Sequence, residues 1–405
     1  MRKDIKINTE YTLDQLNVFQ NKAPLYIERI VIHKRRMELC VPFETSYGRF
    51  DSLVRLFPEI EFRTEEGRLV SGTGECSPLN APWYDCECHR SVEIGLKFII
   101  GSLTGKDADN ADGNAAANLA PISDIDSLLS KYHWIIGHNI AKAGIEGAYW
   151  DAIAKLNGLP VNKLWGGTRD YVETGTSVGL EETPEALMKK IDRAVLEMKI
   201  SRVKVKVRPR KDIKYIERIR KSYPDLRLQI DANAAYDLFN SDHISILKEL
   251  DSYDLMMIEQ PGRNDDILDH ARQLAVLKTP VCLDESIIHV NHARQAVELW
   301  KQYSSVNKLI INIKPPRVGG YLEAIKIGRL CGDNGVSAWC GGMFESALGK
   351  TCNVHFSSRD EINLPGDHVS QSAYFKTDVA DSPEYSDGKL KVPAGPGWGL
   401  INITL

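Results

Sequence analysis

Residues 202–207 read Arg-Val-Lys-Val-Lys-Val. Side chains alternate along a strand, so Val203, Val205 and Val207 share one face, and Lys204 and Lys206 share the other. An edge strand would leave such lysines in water. A strand inside a barrel would pack the valines on outer helices and turn both lysines inward, where lysine is almost never found without a partner. The surrounding sequence chooses between the two. Beyond Gly166-Gly167, short β-branched runs recur at Val203–Val207, Leu226–Ile230, Leu255–Ile258, Val281–Leu283, Leu309–Ile313 and Ser337–Cys340. Helical patterns such as Thr183–Met198 and Ala324–Cys331 lie between them. This alternation indicates a parallel sheet with right-handed crossovers. Six such units in about 200 residues suit a closed (β/α)8-type barrel. An open dinucleotide-binding sheet would carry a Gly-rich turn after its first strand, and none is found.

The strand ends carry the chemistry. Lys206, Asp231, Glu259, Asp284 and Lys314 are separated by 25, 28, 25 and 30 residues, one strand–helix unit each. Functional groups in a barrel come from the C-terminal ends of its strands, so all five face one mouth. A lone aspartate there often only caps the next helix. Three acids in consecutive units point to a shared cation, because like charges that close cannot all ionise unaided. Hard oxygen donors suit Mg²⁺, with Mn²⁺ as a substitute. On this reading, neutralising one acid should raise stability in the absence of metal. Lys314 lies four strands beyond Lys206 and so across the mouth. Repulsion between two ammonium groups and a metal is expected to lower lysine pKa and supply a neutral amine as base.

Outward from this core, the chain divides into an α+β capping domain at 1–165, the barrel at 166–375 and a segment at 376–405 that returns to the cap. The cap is expected to open with a strand at Tyr26–His33, a loop at Pro42–Phe50 and a Gly-rich turn at Gly72–Pro78. A helix over about 85–100 and an amphipathic helix over Ala141–Asn157 follow, stopped by Gly158 and Pro160. Residues 104–126, rich in Ala, Asn, Asp and Gly, read as a surface insertion. Of 405 residues, 43% are hydrophobic and 26% charged, as in ordinary globular proteins. A net charge of −4 offers no general attraction to nucleic acid or to an anionic membrane. The first 25 residues hold no signal-peptide core, and no run of 18 apolar residues exists. A cytoplasmic homo-oligomer acting on a small-molecule carboxylate is expected. The eight cysteines read as reduced thiols, and Cys86-Glu-Cys-His89 lacks the second ligand pair that a zinc site needs.

The pattern resembles the enolase superfamily, in the muconate-lactonizing-enzyme subgroup that places lysines on both sides of its barrel. Lys204-Val-Lys206 is similar to its Lys-X-Lys motif, whose second lysine is catalytic. Asp231-Ala-Asn233, Glu259-Gln-Pro261 and Asp284-Glu-Ser286 resemble its three metal-ligand motifs, and Lys314 its opposing lysine. Four segments resemble o-succinylbenzoate synthases and N-succinylamino acid racemases: Pro42-Phe-Glu-Thr-Ser-Tyr-Gly48, Lys314-Pro-Pro-Arg-Val-Gly-Gly320, Trp339-Cys-Gly-Gly-Met-Phe-Glu-Ser346 and Leu364-Pro-Gly-Asp-His-Val-Ser370. The resemblance implies that Lys206 and Lys314 are catalytic and that Asp231, Glu259 and Asp284 bind Mg²⁺. Lys204, Asn233, Glu285, Arg317, Ser46 and Tyr47 would bind substrate or support the site. Two capping loops, at Phe43–Gly48 and Gly72–Pro78, would close over substrate. After Lys206 the chain departs from the family's Pro-Gly turn and carries three basic residues, Arg208, Arg210 and Lys211.

For a synthase, which the family's role in menaquinone biosynthesis places first, Lys206 would abstract a proton alpha to a carboxylate and return it to the departing hydroxide. Lys314 would then stabilise the enolate. For a racemase, the two lysines would act on opposite faces, and Arg317 matches a position that accompanies racemase activity. Its plainer reading is an arginine paired with a neighbouring acid. An inactive barrel kept as a binding protein is the third expectation.

Overall fold

The computed structural model describes residues 7–44, 49–106, 120–179, 181–209, 212–368, 374–400 and 402–405. Ser46, Tyr47, Arg210 and Lys211 lie outside this set.

The chain opens with an antiparallel sheet of β1 (Leu25–Glu44), β2 (Arg49–Thr64) and β3 (Leu69–Thr73). The strand expected at 26–33 runs on to Glu44, through the loop expected from Pro42. The polar run Lys34-Arg-Arg hid this, although Met37 and Leu39 alternate into the core. The helix expected near 85 starts at His89, giving α1 (His89–Thr104) with Cys88 at its N-cap. After α2 (Ile125–Ser130) comes α3 (Asn139–Leu156). The 104–126 stretch is not wholly superficial. Residues 107–119 lie outside the described set, but Thr104 is buried and Ile122 exchanges two backbone hydrogen bonds with Leu25 at 2.9 and 2.8 Å.

The α3 helix was expected to be amphipathic. Instead it is buried almost all round, from Ile140 to Ala154 with Lys142 the exception. It lies between the cap sheet and the barrel, so neither side faces water. Small residues permit the approach: a Cβ on Gly72 would meet Ala148 O at 2.0 Å, and one on Gly74 would meet Gly144 O at 2.0 Å. The Gly-rich turn is therefore packed beneath α3 rather than poised as a free loop. The polar groups of α3 act on the barrel. Glu146, 1% exposed, accepts from Trp150 Nε1 (2.9 Å) and from the Leu322 amide (2.7 Å) in the first turn of the barrel helix Tyr321–Asn334. Burial pushes the Glu146 carboxyl from 4.5 to about 7. The folded state thus binds this proton more tightly than the unfolded chain does. The associated stability is present below the unfolded value and lost as pH rises through 7. Glu146→Gln is expected to flatten the decline in stability between about pH 5 and 8, by up to roughly 3 kcal/mol. Urea denaturation across that range checks this, and an unchanged slope would remove Glu146 as its source.

Past α4 (Val161–Leu164), β4 (Tyr171–Glu173) leads into seven parallel strands in sequence order. These are β5 (Gly175–Val178), β6 (Arg202–Lys206), β7 (Arg227–Asp231), β8 (Met257–Glu259), β9 (Val281–Leu283), β10 (Leu309–Ile313) and β11 (Ser337–Cys340). The helices between and after them are α5 (Pro184–Asp192), α6 (Asp212–Ser222), α7 (Ser241–Leu250), α8 (Ile267–Gln273), α9 (Val290–Tyr303), α10 (Pro315–Val318), α11 (Tyr321–Asn334) and α12 (Ala347–Ser357). An irregular segment fills the eighth place. The Leu364 amide donates to Ala338 O (3.2 Å) and Asp367 N to Cys340 O (3.0 Å) on one side. On the other, Gly175 N donates to Gly366 O at 2.7 Å. The barrel thus closes between β11 and β5 through residues 364–367, and β6 and β10 stand on opposite walls.

At the C-terminus, β12 (Tyr385–Ser386) and β13 (Lys389–Lys391) form a hairpin that pairs with β4. Beyond it, Trp398 Nε1 donates to Thr73 O of the cap at 2.7 Å, and Trp398 N to Asp151 of α3 at 3.0 Å. Among the described residues, no helix is long and apolar enough to cross a membrane.

Candidate active site

Strand register sets the site. Lys206 lies opposite Asp231, and Asp231 opposite Glu259, so neighbouring strands present three groups on one layer at their C-terminal ends. Asp284 follows β9 and Lys314 follows β10, completing the ring. One layer deeper, Lys204 lies opposite Gln229. Val203, Val205 and Val207 are buried toward the helices, which leaves the lysine face inward.

Each acid is held by cations or amides. Lys206 Nζ lies 2.6 Å from Asp231 Oδ2 and also donates to Asn233 Oδ1. Lys204, 4% exposed, lies 3.1 Å from Glu259 Oε2, 3.5 Å from Asp231 Oδ2 and 2.8 Å from Asp367 Oδ2. Glu259 also accepts from Gln229 Nε2 (2.6 Å) and Asn312 Nδ2 (2.8 Å). Asp284 takes Lys314 Nζ at 2.9 Å, the Tyr84 hydroxyl at 2.9 Å and the Arg317 guanidinium. Glu285 accepts from Asn233 Nδ2 at 2.8 Å, and its other oxygen, Oε2, is buried without a hydrogen bond.

The turns after the strands are strained into this arrangement. Asn233 (φ +42°), Ala234 (φ +61°) and Gln260 (φ +36°) adopt left-handed backbone that non-glycine residues rarely occupy. Gln260 rewards its own strain by accepting from the Asp284 amide (3.0 Å) and donating to Ser286 Oγ (2.8 Å), which links the β8 and β9 ends.

Electrostatics sort the acids into two kinds. Burial would raise Asp231 and Asp284, but Lys206 and Lys204 outweigh it for the first, and Lys314 and Arg317 for the second. Both carboxyls sit below their ordinary value. Glu259 is pushed to about 8 by burial and by Asp231. Glu285 is pushed to about 7 by burial, Asp284 and Asp231. For Lys314, burial lowers the ammonium's pKa most and the Arg317 charge adds to it, in the direction expected of repulsion, yet the touching Asp284 carboxylate and Tyr84 together outweigh them and hold it above its ordinary value.

Among the described residues, no three acidic, histidine or cysteine side chains stand together as a ready metal cage. The acids turn to ammonium and guanidinium groups instead of to one point. Their chemistry still fits a divalent cation: the buried Asp231, Glu259 and Asp284 and the half-buried Glu285 crowd one mouth, Glu259 and Glu285 are driven toward neutrality by burial and by neighbouring acids, and Glu285 Oε2 lacks a donor. A metal bound by Asp231, Glu259 and Asp284 would displace the lysines as their counter-ions.

Sequence reasoning missed four members of this ring. Gln229 and Asn312 lie two residues before Asp231 and Lys314, so strand alternation alone could have placed them inward. Asp367 lay within a segment valued only for its resemblance. Tyr84 comes from the cap, in Pro82-Trp-Tyr-Asp85, and nothing in the sequence marks it. Arg317 follows its plainer reading, bound to Asp284, but it also reaches Tyr84 Oη (2.8 Å), Ile287 O (2.8 Å) and Asn312 O (2.5 Å).

Comparison with known proteins agrees with this architecture. Residues 27–166 match the mandelate racemase / muconate lactonizing enzyme N-terminal domain, and residues 186–401 match the enolase C-terminal domain-like family. The o-succinylbenzoate synthase of Geobacillus stearothermophilus is 37% identical over 92% of each chain. The N-succinylamino acid racemase of an Amycolatopsis species is 34% identical over 92% of this chain and 94% of that one. The crystal structure of an enolase-superfamily member from Listeria innocua superposes with a TM-score of 0.82 at 34% identity, over 93% of this chain and 95% of that one. With both domain models matched in order over nearly its whole length, the chain belongs to the mandelate racemase / muconate lactonizing enzyme family of the enolase superfamily.

Proposed function

We propose that this enzyme is an o-succinylbenzoate synthase-type lyase of menaquinone biosynthesis, acting in the cytoplasm as a homo-oligomer. It would remove a proton alpha to a carboxylate and then expel hydroxide. The observation that carries the reading is the placement of Lys206 and Lys314 on opposite walls above the acids. The 37% identity to synthases over 92% of the chain supports it. Lys206, with its side chain 21% exposed, reaches solvent and so substrate. Its amine, once neutral, takes the alpha proton and returns it to the leaving hydroxide. Lys314, as the ammonium on the facing wall, supplies positive charge where the enolate oxygens develop theirs. Mg²⁺, when held by Asp231, Glu259 and Asp284, would polarise the substrate carboxylate and stabilise the dianionic enolate. Purified protein with magnesium is expected to dehydrate the synthase substrate faster than it racemises an N-succinylamino acid. Turnover of neither would overturn the reading and favour the inactive barrel.

One observation favours racemisation as a second activity. Arg317 is buried beside Asp284 and Tyr84, both of which touch Lys314, and its charge opposes protonation of that lysine. A racemase needs Lys314 as a base, whereas a synthase needs it only as a cation. Arg317→Gln should therefore lower racemisation more than dehydration, by about tenfold or more if the lysine shifts by one pKa unit. Equal losses in both reactions would make Arg317 only the clamp on Asp284.

A further inference from the structure

We propose that Asp367, on the irregular segment that closes the barrel, is a positioning residue for Asp231 and Glu259, acting through Lys204. The inference rests on the metal reading above.

Lys204 is a buried cation touched by three acids, and the nearest is not one of the three proposed metal ligands. Its Nζ lies 2.8 Å from Asp367 Oδ2, against 3.1 Å from Glu259 and 3.5 Å from Asp231. Asp367 is itself fixed. Its other oxygen takes Arg202 Nη1 at 2.8 Å, and its amide donates to Cys340 O at 3.0 Å. Arg202 has no exposed surface and cannot move to follow. Its Nη2 donates to Pro365 O at 2.9 Å, its guanidinium lies 4.7 Å from the centre of the Trp339 ring, and a Cβ on Gly175 would meet it at 2.3 Å.

This geometry anchors Lys204 from the side away from the mouth. The ammonium divides its contacts between Asp231 and Glu259, while Asp367 keeps it from closing on them. Without the Asp367 charge, Asp231 and Glu259 become the only anionic contacts of Lys204 among the described residues. The lysine then competes with a metal ion for the same lone pairs. Partners behind metal ligands commonly govern affinity in this way. The closing segment, which has no regular strand of its own, thereby tunes the mouth.

The test is magnesium affinity by titration calorimetry on the full chain. Asp367→Asn should weaken binding about 10- to 100-fold. Removing one buried anion also risks misfolding, so the double variant Arg202→Met/Asp367→Asn keeps the buried charge balanced. It should fold, as judged by its thermal transition, and still bind magnesium weakly. In a Lys204→Met background, adding Asp367→Asn should change affinity by less than about twofold, as for uncoupled sites. Wild-type affinity in both Asp367 variants, or the same loss with Lys204 present or absent, overturns the inference while leaving the metal reading intact. A wild-type chain that binds no magnesium overturns the metal reading and the inference with it.

Discussion

Replacing Lys206 with alanine is expected to lower kcat about 100- to 10,000-fold for dehydration and racemisation alike, the range a positioned general base supplies. Both reactions start with the same proton, and among the described residues no other amine stands at that wall with access to solvent. Lys204 is on the same strand face but is enclosed by Asp231, Glu259 and Asp367 and committed to them as a cation. The substitution should leave the fold nearly intact, because Lys206 is the most exposed of the three lysines and Asp231 retains Lys204. Deuterium exchange at the alpha carbon is the sharper measurement, since it reads proton removal even where hydroxide loss is slow. Wild-type exchange in the variant would move the base elsewhere, and Lys314 would be the group to test next.

The barrel and its ring were legible because one physical rule covers both. Parallel strands alternate at regular intervals with helices, and their ends meet at one mouth, so the spacing from Lys206 to Lys314 located five groups. What escaped depended on contacts between elements distant in sequence. Tyr84 reaches Asp284, Lys314 and Arg317 only because α3 seats the cap on the barrel. The eighth wall escaped as a strand because Leu364-Pro-Gly-Asp367 has no alternation to read, and backbone hydrogen bonds to both neighbours create it. The buried character of α3 was hidden for a related reason. A helix covered on both sides carries apolar residues all round, and the partners of its polar residues Lys142, Asp151 and Lys155 appear only in the folded chain. Charge state was the least legible property. Repulsion can be inferred from a list of like charges, but its balance against attraction depends on which pairs touch.

That balance decides the second large effect. Asp284→Asn is expected to destabilise the chelator-treated protein by about 3 to 5 kcal/mol, the cost of removing one partner from a buried ion pair. Crowding of acids alone suggested the opposite, a gain from relieved repulsion. Two facts reverse the sign. Asp284 is 1% exposed and directly receives Lys314 and Arg317, whose side chains are nearly as buried. Its carboxyl is already held below the ordinary range, so its charge is stabilised on balance and not tolerated at a cost. An asparagine of the same shape leaves two buried cations to share Tyr84 and backbone carbonyls. Glu285 provides the contrast within the same mouth. Its carboxyl is pushed up to about 7, and Oε2 has no donor, so Glu285→Gln should cost little stability or raise it at pH above 7. Urea denaturation of both variants in excess chelator separates the cases. A stability gain for Asp284→Asn would mean that acid repulsion outweighs the contacts to Lys314 and Arg317, and the lysines would then be counter-ions of little consequence to the metal-free state. A loss for Asp284→Asn beside a neutral Glu285→Gln would establish that the ring is assembled by its cations before any metal arrives.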